Sequence, residues 1–239
     1  MEKIQEIFQR YEKKYLLSHD RYKALMDRVD GRLILDEYGL HTICNVYFDT
    51  ENYELIRTSI EKPDYKEKLR LRSYGVPRTY SQVFIEIKKK YDGIVYKRRI
   101  PMHLNDAEKY LYEGIALEAH SQILNEIKWF VNFYRPKPSV YLAYDRRAYF
   151  GRDQEEFRVT FDGNIRYREK QLYLAEGDWG TRLLPENMVL MEVKMPGSMP
   201  FWFGRILSEL EIFPISFSKY GAYYKENLTH LFGEGLLYA

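Results

Sequence analysis

Six stretches of this chain alternate charged with apolar or aromatic residues at a period of two. Arg10, Glu12 and Lys14 share one phase. So do Lys68, Arg70 and Arg72, with Leu69 and Leu71 in the other phase; Glu86, Lys88 and Lys90 alternate with Val83, Ile85 and Ile87. Lys97 and Arg99 form a less regular case, interleaved with Tyr96, Arg98 and Ile100. Arg158, Thr160 and Asp162 alternate with Val159 and Phe161, and Glu192 and Lys194 with Met191, Val193 and Met195. A β-strand sends residues i, i+2 and i+4 to the same face, so each stretch predicts a strand with one charged face. The wet face of an ordinary antiparallel sheet mixes Thr, Ser, Gln and Lys. Here those positions are repeatedly Arg, Lys and Glu, and Arg is selected where planar, multi-donor binding of phosphate is needed.

The remaining elements follow from turn and cap signals. Strand-like segments cover Gln9–Leu17, 41–49, 66–74, 82–90, 94–101, 139–149, 156–163, 165–168, 171–175 and 188–195, and Asp92-Gly93 reads as a hairpin turn. Ile4, Ile7 and Phe8 predict a short opening helix, and Ser18 an N-cap for a helix carrying Tyr22, Leu25, Met26 and Val29. A helical stretch is expected from about Asp106 to Phe133, broken near Gly114 and closed by Pro136 and Pro138, with further helices at Met199–Leu210 and Ser218–Leu231. Trp129, Phe130 and Phe133, and likewise Trp202 and Phe203, are expected in the core. The fold class is α+β: an antiparallel β-barrel with helices packed outside and at the ends, forming one domain over residues 1–239. With the charged faces inward, such a barrel encloses a cationic tunnel that needs a polyanion and a metal, which is a phosphate tunnel.

Composition narrows the function. Hydrophobic residues at 45% are enough for a real core, and 37 Lys+Arg against 35 Asp+Glu give a net charge of +2, too balanced for a nucleic-acid coat protein. One cysteine, Cys44, cannot form an internal disulfide, and the five histidines (19, 41, 103, 120 and 230) lack metal spacing, so a reducing cytoplasm is the expected compartment. No apolar run reaches the ~20 residues that span a bilayer. Neither a Gly-x-x-x-x-Gly-Lys-[Ser/Thr] loop nor a Gly-x-Gly-x-x-Gly fingerprint is present.

The motif order resembles that of the polyphosphate polymerase domain of the vacuolar transporter chaperone (VTC) family, within the triphosphate tunnel metalloenzymes. Arg10-Tyr-Glu-Lys-Lys14-Tyr15 resembles the first strand of those metalloenzymes, and the pieces that match the VTC family are Val46-Tyr-Phe-Asp49, Lys68-Leu-Arg70-Leu-Arg72-Ser-Tyr-Gly75, Phe84-Ile-Glu86-Ile-Lys88, Lys97-Arg-Arg99, Tyr144-Asp-Arg146, Phe157-Arg158-Val-Thr-Phe-Asp162, Leu190-Met-Glu192-Val-Lys194 and Phe217-Ser-Lys219-Tyr220. The resemblance implies transfer of the γ-phosphoryl group of ATP to a growing polyphosphate chain, assisted by Mn²⁺ or Mg²⁺. It implies that Lys14, Arg70, Arg72, Lys88, Lys97, Arg146, Arg158 and Lys219 are catalytic cations, and that Arg70, Arg72, Lys88, Arg99 and Lys194 hold the nucleotide. Glu192 is the main metal carboxylate that it implies, with Glu12 and Glu86. The partners implied are ATP and polyphosphate or triphosphate, no nucleic acid, and a membrane protein for any export.

One departure bears on the activity. Arg10 stands where the superfamily's first-strand Glu-x-Glu-x-Lys motif has its first acid. Losing that acid removes a metal ligand and favours polymerase over hydrolase, the polymerase branch having lost acids there too. The alternatives are an inorganic or nucleoside triphosphatase of the same fold, or a polyphosphate-binding module without catalysis. The transfer itself needs positioning and charge neutralisation, and no Ser, Cys or His nucleophile.

Overall fold

A computed structural model describes residues 11–92, 94–118 and 121–228. The expected opening helix at Ile4, Ile7 and Phe8, together with Gln9, Arg10, Gly93, His120 and His230, lies outside the described residues. The strands are β1 (Tyr11–Ser18), β2 (Leu33–Leu35), β3 (His41–Asp49), β4 (Tyr65–Tyr74), β5 (Gln82–Tyr91), β6 (Ile94–His103), β7 (Lys137–Gly151), β8 (Gln154–Arg168), β9 (Thr181–Arg182) and β10 (Met188–Met195). The helices are α1 (His19–Arg28), α2 (Glu54–Ile60), α3 (Leu104–Glu113), α4 (Gln122–Tyr134), α5 (Phe201–Glu209) and α6 (Lys219–Asn227). Backbone pairing follows the order β1-β10-β8-β7-β3-β4-β5-β6, with β2 on β7 and β9 on β8, so the fold class is α+β with one antiparallel sheet.

The chain divides into two compact units. Unit 1 takes residues 1–41, 145–164 and 184–217; unit 2 takes 42–144, 165–183 and 218–239. In unit 1 the apolar phases of β1, β8 and β10 (Tyr15, Leu17, Val159, Phe161, Met191 and Val193) bury against Leu25 and Val29 beneath α1 and against Phe203 and Leu207 of α5. Ser18 caps α1 by accepting a hydrogen bond from the Arg21 amide at 3.3 Å, as its position before the apolar stripe predicts. In unit 2, Val46, Phe48, Leu69, Leu71, Ile85 and Ile87 bury beneath α3 and α4, against Ala107, Leu111, Ile127 and Phe130. Along β1, β4, β5, β8 and β10 the apolar phase makes the core, and the other phase carries most of the charge.

Several expectations are corrected. Trp129 and Phe133 are 53% and 65% exposed, and only Phe130 of that trio is buried. The two exposed rings stack on each other with centroids 4.9 Å apart, as an i, i+4 helix spacing allows. Trp202 is half-buried beside the fully buried Phe203. The segment 171–175 is no strand; it ends in a short 3₁₀ turn at Leu174–Glu176, with the Arg168 guanidinium donating to the carbonyls of Gln171, Tyr173, Gly177 and Trp179. The break expected near Gly114 is present: α3 ends at a left-handed Gly114, and α4 begins after the cap Ser121. The segments 139–149 and 156–163 with 165–168 are parts of the longer strands β7 and β8.

The N-cap of α2, Tyr53, is left-handed and makes no side-chain cap; the Thr50 hydroxyl accepts from the Glu54 amide at 2.8 Å instead. The buried Asp49 carboxylate caps the next two amides from six and seven residues upstream, accepting from Leu55 and Ile56 at 2.9 and 3.0 Å. Asp92, also left-handed at φ 45°, begins the two-residue link between the paired Tyr91 and Ile94.

Candidate functional site

Each unit carries its own constellation of charged residues. In unit 2 the register places Tyr47, Arg70, Glu86 and Arg99 in one cross-strand row, and Asn45, Arg72 and Phe84 in the next. Glu86, 1% exposed, is the centre. Arg70 grips its Oε2 through Nε at 2.8 Å and Nη2 at 2.6 Å, Arg72 Nη1 stands 3.6 Å from the same oxygen, and Lys97 Nζ lies 2.9 Å from Oε1. Burial alone would raise the Glu86 pKa, but the charges of Arg70, Arg72 and Lys97 outweigh it and hold the carboxyl well below the usual range. Burial pushes the Lys97 ammonium down to about 8, against the pull of Glu86 and with the repulsion of Arg70 and Arg72.

Second partners fix the two guanidiniums. Arg70 Nη1 donates to the Tyr47 hydroxyl at 3.0 Å, while Arg72 donates through Nε to Asn45 Oδ1 at 2.8 Å and through Nη2 to the Tyr144 hydroxyl at 3.0 Å. Asn45 is itself held by donating to the Leu142 carbonyl at 3.0 Å. Burial would raise the Tyr47 hydroxyl's pKa, yet the positive charges of Arg70, Arg72 and Lys219 draw it below its ordinary value. Lys219, the first residue of α6, places its ammonium 4.4 Å from the Tyr144 ring centre, within cation–π range. Lys68 donates to the hydroxyl of the α6 cap Ser218 at 3.2 Å, and Tyr220 stacks on Tyr47 while donating to Asp49 at 2.8 Å. Lys88 is exposed, facing Lys68 on one side and Lys97 on the other. Arg99 stacks over the Phe84 ring at 4.7 Å.

In unit 1 the rows read Glu12, Lys194, Arg158, then Lys14, Glu192, Thr160, then Leu16, Leu190, Asp162 across β1, β10 and β8. Arg146 of β7 makes a bidentate pair with the fully buried Asp162, at 2.6 and 2.7 Å, and reaches Glu192 Oε2 at 3.5 Å. Lys14 Nζ lies 3.8 Å from Glu192 Oε1 and 3.4 Å from Glu12 Oε1, and donates to the Phe217 carbonyl at 2.9 Å. Arg158 is exposed, and Lys194 stands beside it in the ladder.

The structure thus brings Arg70, Arg72 and Lys97 together on Glu86 in unit 2, and Lys14, Arg146, Glu12 and Glu192 together in unit 1. Sequence reasoning assigned no role to Asn45, Tyr47, Tyr144 or Asp162, which orient the arginines. Each lies in or next to a motif that carries the family resemblance, so their positions in the ladder were the available signal.

Among the described residues no three His, Cys, Asp or Glu side chains are grouped to hold a metal ion unaided. The donor sets still differ in what they suit. Glu86 already has three cations on its two oxygens, a poor place for a divalent ion. Glu192 and Glu12 are hard oxygen donors on adjacent strands, and Mg²⁺ or Mn²⁺ commonly takes one or two carboxylates and completes its shell with water and substrate phosphate.

Comparison with known proteins settles the family. The sequence model of the VTC domain matches residues 9–226. The chain belongs to the VTC domain family. A VTC domain therefore occupies nearly the whole chain, as the motif order implied. A candidate adenylate cyclase from Bacillus halodurans is similar in structure, with a TM-score of 0.55 at 14% identity, covering 88% of this chain and 95% of that one. So is a candidate adenylyl cyclase from Hippeastrum with a dominant triphosphatase activity, with a TM-score of 0.51 at 16% identity, covering 91% and 96%. At these identities the likeness is one of fold. A search of curated protein sequences finds no match. No described helix is long and apolar enough to cross a membrane.

Proposed function

We propose that this VTC domain is an ATP-dependent polyphosphate polymerase. The observation that supports it most is the Glu86 cluster: two oriented guanidiniums and one ammonium gathered on a single buried carboxylate, leaving net positive charge aimed by Asn45, Tyr47 and Tyr144. Fixed donors of this kind suit phosphoryl oxygens, whose charge is spread over several atoms in the transition state. In the reaction, a terminal oxygen of the polyphosphate chain attacks the γ-phosphorus of ATP. The bond from that phosphorus to the β–γ bridging oxygen breaks, and ADP leaves. The chain end is already ionised at neutral pH, so no side chain has to remove a proton.

Arg70, Arg72 and Lys97 bind and orient phosphate in this reading, with Lys88, Arg99 and Lys219 nearby in unit 2. Lys14, Arg146, Arg158 and Lys194 supply positive charge in unit 1. Glu192, with Glu12, would hold Mg²⁺ or Mn²⁺, which supplies charge neutralisation between phosphates. Glu86 serves instead as the counter-ion that sets the arginine geometry. A cytoplasmic setting and a membrane partner for export go with this reading.

The test is incubation of the purified protein with ATP and Mn²⁺ or Mg²⁺, the products run on a polyacrylamide gel stained for polyphosphate. A ladder of chains with ADP is expected. The second reading, a triphosphatase, is favoured by the retained carboxylates of unit 1 and by the activity of the Hippeastrum relative. ADP and orthophosphate with no chain would establish that reading and overturn the first.

A further inference from the structure

In the two rows that follow Glu86 on the same face of unit 2, lysine stands against lysine. Lys68 pairs in register with Lys88, Lys66 with Lys90, and Lys88 in turn with Lys97. Like charges directly opposed on neighbouring strands are destabilising. The ion pairs of this face converge on Glu86. Among the described residues no carboxylate pairs with Lys66, Lys88 or Lys90. Lys66 is half-buried and donates to the Ser59 carbonyl at 3.0 Å; burial, then the charges of Lys90, Lys62 and Lys88, push its ammonium below the ordinary lysine value. Repulsion concentrated this way on two adjacent rows is relieved by an anion laid along them.

The row of Lys66 and Lys90 lies four residues along the strands from that of Arg70 and Glu86, about 13 Å at the usual rise per residue. That span exceeds a triphosphate group and suits an extended chain. The two lysine rows end in Val95 and Lys97 on β6 and contain no aromatic ring, so nucleobases would find nothing to stack on. We infer that Lys62, Lys66 and Lys90 extend the anion site of unit 2 into an outer track for polyphosphate, which makes long chains bind in preference to triphosphate and keeps a growing chain attached. The inference rests on the polyphosphate reading of the Glu86 cluster and adds the part of the ligand that lies beyond it.

The test compares wild type with Lys66→Gln/Lys90→Gln, neither residue belonging to the Glu86 cluster, by titration with tripolyphosphate and with long-chain polyphosphate over a salt series. Long-chain affinity should fall tenfold or more, and its log–log salt slope should shrink by roughly 1.4, since two lost contacts to a single-stranded polyanion remove about 0.7 each. Tripolyphosphate affinity should stay within a factor of two. The Lys66→Arg/Lys90→Arg protein should keep the long-chain preference, and melting curves should show all forms folded. Equal losses for both ligands, no loss for either, or a wild type that binds the two alike would overturn the track. So would a single-stranded oligonucleotide of matching charge that binds as tightly and is lost in the same way, marking a general polyanion surface. The polymerase reading is judged separately on the ATP product gel. A protein that makes no chains can still show or lack the long-chain preference, so the two failures are distinguishable.

Discussion

The charged faces of the two units are built from the same residue types in different balances. On β4, β5 and β6 of unit 2, Lys66, Lys68, Arg70, Arg72, Lys88, Lys90, Lys97 and Arg99 share a face with one carboxylate, that of Glu86. On β1, β8 and β10 of unit 1, Lys14, Arg158 and Lys194 share a face with Glu12, Asp162 and Glu192, and Arg146 is committed to Asp162. On the reading proposed above, charge excess and charge balance go with two tasks. An unbalanced face attracts a polyanion by its field, whereas a balanced one has carboxylate oxygens to offer a divalent ion. Single-residue changes in the two units should therefore fail in different ways.

The largest effect should be that of salt on polyphosphate binding. If six or more lysines and arginines contact the chain, polyphosphate affinity should drop roughly 10³-fold over a fourfold rise in salt. Isothermal titration at several ionic strengths measures it, and a flat response would mean that these faces do not meet the ligand. Next come paired substitutions that set one unit against the other. Arg70→Ala should weaken polyphosphate binding and lower ATP turnover by ~10²–10³, because it removes an oriented donor. Glu192→Ala should lower turnover as much while leaving polyphosphate bound as tightly or more so, a negative charge having left the charged face of unit 1. Calorimetry paired with steady-state turnover separates the two, and a fully active Glu192→Ala protein would end its role as a metal carboxylate.

Stability gives a third contrast. Glu86→Gln leaves Arg70 and Arg72 in place without their charge partner, which should cost about 3–5 kcal/mol in urea unfolding at pH 7. The folded-state pKa of Glu86 is depressed, so its contribution is fully present above the unfolded carboxylate value of about 4.3 and is lost as pH falls toward the folded value. The gap between wild type and Glu86→Gln should accordingly close on acidification below about pH 4.3, and a pH-independent gap would contradict the geometry. The smallest effect belongs to Lys97, which faces Glu86, Arg70 and Arg72 and is half charged near pH 8. A polyanion favours the ammonium, so polyphosphate affinity should fall a few-fold as pH rises from 7 to 9, and Lys97→Arg should abolish that fall. The same titration on a Lys97→Arg protein that still loses affinity would assign the pH dependence elsewhere.

How much of this was legible in the sequence depends on whether local spacing or distant pairing decides it. Ser18 as a cap and the long alternating strands could be read directly, because their signals lie within a few residues. α2 could not, since its cap Asp49 is remote from the helix start and the local N-cap is a left-handed tyrosine. Trp129 and Phe133 were misplaced because three aromatic residues on one helix fit a buried stripe, yet the stripe that α4 buries runs through Leu124, Ile127 and Phe130.

By itself the sequence determined which residues share a face, because the side-chain period of a strand is two and does not depend on its neighbours. Lys68, Arg70 and Arg72 had to lie together, as did Glu86, Lys88 and Lys90. Only the tertiary structure decided which faces meet in register. It set Glu86 opposite Arg70 on one side and Arg99 on the other, brought Lys97 to its second oxygen, and left Lys66 facing Lys90 with no carboxylate between them. Register is a long-range property, fixed by turns and by the burial of the opposite face. A one-residue slip would have exchanged the core for the charged face. For that reason the residue types of the charged faces could be read from the chain, while the choice of Glu86 as a counter-ion and of Asn45, Tyr47 and Tyr144 as its supports could not.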